Sequence, residues 1–425
     1  MAEEMPLSSP SEVAGGAARE LIRHGAARRL PWAARMARRL ALGGFERLRD
    51  GELTIADGAG RVVHGAAGAE APLRATVSVR DPGVWLDLLL RGTVGAAEAY
   101  MAGKWDADDL ASLVRILVRN RAALERLDGG VARLAAPFLR WFHARHANTR
   151  AGSRRNIAAH YDLGNEFYAE WLDATMTYSA AVFPRPEATL EEGSVEKLER
   201  ICRMLDLAPG DHVLEIGGGW GSFAIHAAER HGVRVTTTTI SRAQLEHARA
   251  RVAERGLQER VTVLGLDYRD LEGRFDHVVS IEMVEAVGAR FLRRYLAKCA
   301  TLLKPGGRMA IQAITMPDRE YRRALREVDF IQRYIFPGSF IPSLAALVEA
   351  AEGAARLRIA RVEDIGPHYA RTLELWRERF RAAWPRIARL GFDERFRRMW
   401  DYYLAYCEGG FRERFLSCNQ ILMRL

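Results

Sequence analysis

The spacing of hydrophobic positions changes period repeatedly along the chain, most regularly between residues 195 and 315. VEKLERICRMLDL (195–207) places its apolar residues three and four apart, which predicts a helix with one buried face, and it stops at APGD. HVLEI (212–216) is a short unbroken apolar run of strand type ending on glycines. FAIHAAERH then reads as a helix, VRVTTTTI as a strand, and SRAQLEHARARVAERG as a helix with Ser241 as its N-cap. RVTVLGLD and FDHVVSIEM are predicted strands, ARFLRRYLAKCATLLKPGG a helix closed by Pro-Gly-Gly, and RMAIQAIT a further strand. Strands and helices alternating over short connections predict an α/β fold, a doubly wound parallel sheet that takes ligands at the carboxyl ends of its strands.

Upstream the pattern differs. Residues 1–19 are small and polar and predict a disordered N-terminus. Within LIRHGAARRLPWAARMARRLALGGFERL (21–48), Leu30, Ala33, Met36, Ala37 and Leu40 fall on one helical face. Arg28, Arg29, Arg35, Arg38 and Arg39 crowd the remainder, and Pro31 breaks the segment. Such a basic amphipathic segment can lie in a membrane interface or dock on its own domain with a solvated arginine face. Alternating stretches between about residues 52 and 80 predict short strands, followed by helices separated by a loop from Gly103 to Asp109. Residues 20–145 thus form a smaller α+β domain, the basic stretch RHANTRAGSRRNI a linker, and residues 146–425 the larger domain. No fixed-period repeat is present.

Composition narrows the class. With 425 residues, 48% of them hydrophobic, the chain is long enough for two globular domains. A net charge of +9 suits a polyanionic partner, either nucleic acid or an anionic membrane surface. Cys202, Cys299, Cys407 and Cys418 form no CxxC pair or short Cys/His cluster in sequence, so neither a disulfide framework nor a metal site is expected. The opening MAEEMPLSSPSEVAGG is acidic and polar where a signal peptide would be basic and then apolar. No run approaches the ~20 apolar residues needed to span a bilayer. These features predict a cytoplasmic protein in peripheral contact with a membrane.

Candidate chemistry centres on VLEIGGGWGSF (213–223). Successive glycines after a strand let a ligand approach the backbone where any Cβ would clash. The pattern E-x-G-G-G-x-G departs from the G-x-G-x-x-G that cradles pyrophosphate. The next strand ends on Thr239 and Ser241 in place of a ribose-binding acid. A cofactor without phosphate, whose amino-acid part bonds to the loop beside Glu215, fits this variant. S-adenosylmethionine is such a cofactor.

AAHYDLGNEFYAEWLDATMTYSAAVF, VLEIGGGWGSF, TTTISRAQ, LDYRDL, RYIFPGSFIPS and PHYARTLELWRERF resemble, in order and spacing, the cyclopropane-fatty-acyl-phospholipid synthase family. The resemblance covers roughly residues 153 to 425 and implies a Rossmann-like methyltransferase sheet behind a lipid-binding N-terminal domain. It implies S-adenosylmethionine contacts at Tyr178, Ser179, Glu215, Gly217, Gly219, Thr239, Gln244, Tyr268 and Arg269. Tyr268 offers an apolar face for a base, and Gln244 both a donor and an acceptor. The implied reaction is methyl transfer to a carbon–carbon double bond of an unsaturated phospholipid acyl chain, most simply giving a cyclopropane. The implied active site has Glu285 in EMVEAVG, Tyr369 in PHYAR, His160 and the backbone of Ile314, around a bicarbonate that accepts the proton. Aromatic faces and a carboxylate are suited to the carbocation that follows methyl transfer.

Three departures bear on ring closure. The usual Cys after TYS is Ala180, which keeps only its backbone N–H; the usual His of the strand LLHTI is Gln312, a hydrogen-bond donor but no acid or base; and EMVEAVG replaces the usual GMFEHVG. These features resemble the tuberculostearic-type methyltransferases, whose product is a methylene or methyl branch. The stretch EVDFIQRYIFPGSFIPS offers Phe330, Ile331, Tyr334, Ile335, Phe336, Phe340 and Ile341 as an apolar wall for a chain, or as ordinary core. Nucleic-acid methylation lacks its signatures here, neither [DN]-P-P-[YF] nor a Cys after Pro, so no nucleic-acid partner is expected. A small-amine N-methyltransferase and a lipid-binding protein without catalysis are the competing readings, and a homodimer is left open.

Overall fold

A computed structural model describes residues 32–66, 68, 72–122, 124 and 163–425. The first 31 residues, most of the stretch between the two predicted domains, and with them Leu30 and His160, lie outside the described residues.

Helix α1 (Trp32–Phe45) leads into β1 (Gly51–Asp57), β2 (Gly60–Ala66) and β3 (Arg74–Val79), then α2 (Val84–Met101), β4 (Trp105–Ala107) and α3 (Leu110–Arg119). Strand order in this sheet is β2-β1-β3-β4, with β1 and β2 a hairpin and β1 parallel to β3. Strand β4 lies within the segment predicted as a loop from Gly103 to Asp109 and pairs antiparallel with β3. Three residues are too few to display a period, which is why the spacing did not announce it. Asp109 caps α3 by accepting from the N–H groups of Ala111 and Ser112.

The predicted apolar face of α1 needs correction. Ala34, Ala37, Ala41 and Phe45 are buried, whereas Trp32, Met36 and Leu40 are 71, 44 and 51% exposed. Alanines allow the helix to approach its neighbour closely, so the larger apolar residues four apart form a second stripe facing outward.

The larger part begins with α4 (Asn165–Ala169) and α5 (Leu190–Leu205), the latter opened by a capping box between Thr189 and Glu192. It continues through β5 (His212–Ile216), α6 (Ser222–His231), β6 (Arg234–Thr238), α7 (Arg242–Glu254), β7 (Val261–Leu264) and β8 (Phe275–Ile281). Helix α8 (Leu292–Thr301), β9 (Leu303–Thr315), α9 (Asp318–Ala324) and α10 (Leu344–Ala355) follow, then β10 (Arg358–Asp364), α11 (Gly366–Arg389), α12 (Glu394–Arg412) and β11 (Ser417–Arg424). The seven-stranded sheet has the order β10-β11-β9-β8-β5-β6-β7. Strands β5 to β9 are parallel as predicted, but β11 runs antiparallel to both its neighbours, so the sheet is mixed. Its pairing sets Gln420 beside Gln312 and Asn419 beside Ala313, bringing the chain's end against the strand that carries the site.

One buried cluster runs from the first sheet (Leu53, Ile55, Val77) through Trp171, Trp376 and Trp400 of the larger part. Buried Arg398 of α12 reinforces the join by donating to the carbonyls of Tyr100 and Trp105 (2.7 Å for the latter). The fold also gathers what is dispersed in sequence: ligand-type atoms of Cys202, His226 and His231 lie within 4.8 Å of one another. Both imidazoles there bond to the Glu199 carboxylate, at 3.0 and 3.1 Å.

Candidate active site

The carboxyl ends of β5, β6, β7, β8 and β9 open onto a cavity of about 910 Å³. That size is near the upper end of the ~300–1,000 Å³ usual for small-molecule sites. The glycine loop forms one wall. Gly217 has φ 85°, and a Cβ there would stand 2.6 Å from Cγ of Met283; a Cβ on Gly218 would stand 1.9 Å from Oγ1 of Thr237. Gly219, at φ 54°, has nothing within 4 Å of its Cβ position, so it faces open space.

The residues predicted for the cofactor all line this cavity: Tyr178, Ser179, Glu215, Gly217, Gly219, Thr239, Gln244, Tyr268 and Arg269. Glu215 is buried and accepts a 2.6 Å hydrogen bond from the Thr237 hydroxyl. Burial pushes its pKa up to about 7, against the Thr237 bond and the charge of Lys197. Thr239 donates to Oε1 of Gln244 at 2.7 Å, which leaves the Gln244 amide donors for a ligand. Arg269 pairs with Asp267 through two 2.7 Å contacts and lies over the Tyr268 ring, while Tyr268 and Tyr295 form a T-shaped pair.

Beyond the loop the cavity is walled by Tyr178, Phe336, Tyr402, Tyr403 and Tyr406 and reaches Leu53, Ile55 and Val77 of the first sheet and Trp85 of α2. Of the predicted apolar wall, Ile331, Phe336, Phe340 and Ile341 line it, whereas Tyr334 turns its hydroxyl to Glu98 at 2.6 Å.

The acid-base residues are arranged differently from the expectation. The backbone N–H of Ala180 and the amide of Gln312 each donate to Oε1 of Glu282 at 2.8 Å, and the Tyr369 hydroxyl donates to Oε2 at 2.7 Å. Glu282 was not singled out from the sequence, although it opens the EMVEAVG motif at the position where the usual form has glycine. Gln312 is fully buried behind Glu282 and held in turn by Gln420, so it positions that carboxylate. Glu285 does not join Tyr369; it accepts from the N–H of Ile314 at 2.6 Å. Sequence reasoning also missed Lys197, whose buried ammonium donates to Ser179 Oγ at 2.8 Å. Burial lowers the Lys197 pKa to about 8, opposed by Glu282, Asp173 and Glu215.

Burial raises the pKa of both Glu282 and Glu285, Glu285 to about 8 with the added repulsion of Glu282. Three donors favour the ionised form of Glu282, so the pair keeps its proton on Glu285. A carboxyl that holds its proton to about pH 8 when folded, against an ordinary 4.5, favours the folded state fully below 4.5 and loses that contribution as pH rises towards 8. Glu215 acts in the same direction. Thermal melts between about pH 5 and about pH 8 are expected to show Tm falling with pH, with a smaller fall in Glu285→Gln. Equal slopes in the two proteins would refute this assignment.

Residues 148–421 match the family model described as mycolic acid cyclopropane synthetase. The chain is 42% identical over 363 residues to the tuberculostearic acid methyltransferase UfaA1 of Mycobacterium tuberculosis, covering 84% of each protein. It is 35% identical over 366 residues to the cyclopropane-fatty-acyl-phospholipid synthase of Escherichia coli, covering 86% of this chain and 90% of that one. The crystal structure of mycolic acid cyclopropane synthase CmaA1 complexed with SAH and CTAB superposes with a TM-score of 0.60 at 30% identity, over 64% of this chain and 98% of CmaA1.

Proposed function

The chain belongs to the mycolic acid cyclopropane synthetase family, and from that premise we propose that it methylates a cis double bond in an unsaturated acyl chain of a membrane phospholipid. It is an S-adenosylmethionine-dependent methyltransferase. The observation that carries the substrate reading is the single cavity that joins the glycine loop to an aromatic and aliphatic channel ending at the first sheet. The CmaA1 structure, with SAH and the detergent CTAB, supports the same pairing of cofactor and chain.

The residues fit the cofactor. Gly219 leaves open space where its amino-acid part would lie, Glu215 and Gln244 offer polar groups, and Tyr268 an aromatic face. S-adenosylmethionine supplies an electrophilic methyl group on a positively charged sulfur. The chain's residues do the rest. The apolar channel excludes water, which would otherwise trap a carbocation, and fixes the alkene against the glycine loop. Tyr178 and Tyr403, linked hydroxyl to hydroxyl at 2.8 Å, line the cavity and offer aromatic rings and oxygens suited to a positive charge.

A methylene or methyl branch is a second reading of the product, favoured by the greater identity to UfaA1 and by Ala180, Gln312 and Glu282. Ring and methylene branch arise from one carbocation and differ in whether a hydride shifts before the proton leaves; a saturated methyl branch requires a separate reductant to reduce the methylene.

Peripheral membrane contact is supported by α1, whose exposed Trp32, Met36 and Leu40 lie beside exposed Arg35 and Arg39. Among the described residues no helix is long and apolar enough to cross a membrane. Replacing Trp32, Met36 and Leu40 together by Glu is expected to weaken sedimentation with anionic vesicles at least ~10-fold. Undiminished binding would remove α1 from the account. The function itself is tested by incubating the protein with methyl-labelled S-adenosylmethionine and vesicles of cis-monounsaturated or fully saturated phospholipid. Label is expected in the unsaturated lipid alone; label in both, or in an added amine alone, would overturn the reading.

A further inference from the structure

We infer that Glu282 is the proton acceptor of this protein, a side-chain carboxylate standing where the family resemblance calls for a bound bicarbonate. The inference rests on the methyltransferase reading above and deepens it. The groups expected around bicarbonate are present, but their hydrogen bonds are already used. Ala180 N–H, the Gln312 amide and the Tyr369 hydroxyl donate to Glu282, and Ile314 N–H donates to Glu285. A bicarbonate would have to displace a covalently tethered carboxylate from these donors, so the residues do not fit the free anion.

Backbone geometry points the same way. Glu282 has φ 49°, a left-handed conformation that favours glycine, and glycine is the usual residue at this point of the motif. A residue with a side chain tolerates such strain where its surroundings hold it, and strain of this kind gathers at functional sites. Here the side chain is held by three donors and lines the cavity beside Gly217 and Met283.

The titratable groups facing it set its charge. Lys197 supplies positive charge from α5, Tyr369 donates from α11, and Cys418 of β11 approaches Oε1 at 3.7 Å. Glu285, held by backbone N–H groups alone and repelled by its neighbour, is the carboxyl that stays protonated.

The chemistry balances without a further reactant. The π pair of the alkene forms the new bond to the methyl carbon while the sulfur–methyl bond breaks and leaves its pair on sulfur. One alkene carbon is then a cation. Glu282 takes a proton from the transferred methyl group, and the released C–H pair closes either a three-membered ring or, after a hydride shift, an exocyclic C=CH₂ bond. The proton stays on the Glu282 carboxyl until product departs and water re-enters. One base in one place therefore serves both candidate products.

The test compares wild type, Glu282→Gln and Glu282→Gly in buffers stripped of carbon dioxide and in buffers with added bicarbonate. Glycine suits φ 49°, so Glu282→Gly is expected to fold at least as well as wild type, read by Tm. Wild-type turnover is expected to be the same in both buffers. Glu282→Gln is expected to lose ~10²–10⁴-fold in kcat, the usual contribution of a positioned base, while its affinity for S-adenosylmethionine stays within about threefold. Glu282→Gly is expected to be equally impaired without bicarbonate and to recover at least ~10-fold with it. Wild type that slows when bicarbonate is removed, or Glu282→Gln within about threefold of wild type, would overturn the inference. Binding reads the site without turnover: the ¹³C signal of labelled bicarbonate should broaden with Glu282→Gly and not with wild type. Broadening with wild type would overturn the inference even if every lipid assay succeeded. Failure of wild type to methylate any lipid would instead sink the proposed function.

Discussion

Gly218→Val is expected to abolish S-adenosylmethionine binding at concentrations that saturate the wild-type protein. Its Cβ would stand 1.9 Å from Oγ1 of Thr237 and 2.8 Å from Oε2 of Glu215, the two atoms joined by a 2.6 Å hydrogen bond at the end of β5. Neither can retreat easily, since Thr237 and Glu215 are buried on adjacent strands in register with each other. Either the Thr237–Glu215 bond breaks or the loop lifts into the cavity. Overpacking of this kind costs ~1–3 kcal/mol for small insertions, and valine adds two methyl groups beyond the first contact. A rise of ~10²-fold or more in Kd, read by calorimetry, follows at ~1.4 kcal/mol per tenfold. Binding within threefold of wild type would mean that the loop does not hold the cofactor.

Lys197→Met is expected to be the most destabilising substitution at the site. The ammonium is 1% exposed and lies in the field of Glu282, Asp173 and Glu215 while donating to Ser179. Removing one partner from a buried charge cluster leaves the others uncompensated and typically costs ~3–5 kcal/mol. With an unfolding entropy of ~2.1 cal/mol/K per residue, a cooperative unit of 425 residues shifts by ~1 °C per kcal/mol, so Tm should fall by ~3–6 °C. The remaining carboxylates would relieve the repulsion by holding protons, so Glu282 would ionise only at higher pH. The acid limb of the rate profile is therefore expected to move to higher pH in any residual activity. A Tm within a degree of wild type would show that Lys197 is neutral in the folded protein and carries no such role.

What the sequence revealed and what it concealed follow from the range of the interactions involved. The alternation from 195 to 315 is local, so β5 to β9 and the helices between them could be read from period, caps and glycine stops. The positions of Glu215, the glycine loop and Thr239 beside the cavity were legible for the same reason, since each sits where a strand ends, whereas Gln244, in the first turn of α7, was pointed to by the family resemblance. Strand β11 was not, because its place between β9 and β10 is decided by pairing across more than a hundred residues. Lys197 reads in sequence as one more charge on a helix; its burial depends on carboxylates brought from three other segments.

Glu282 is the instructive omission. It stands three residues before Glu285, and the turn over Val284–Ala286 carries the two carboxylates to different backbone donors and different neighbours. Its one sequence signal was the replacement of glycine in the motif, which reads as a loss of flexibility until the positive φ and the three donors are seen together.

The most direct test of the central claim uses S-adenosylmethionine carrying a fully deuterated methyl group, vesicles of a cis-monounsaturated phospholipid, and NMR with mass spectrometry of the acyl chains. The label is expected on a carbon of the former double bond, as a ring or exocyclic methylene that keeps two of the three deuterons. Acyl chains without deuterium, or a branch that keeps all three deuterons beside a relocated double bond, would contradict the claim.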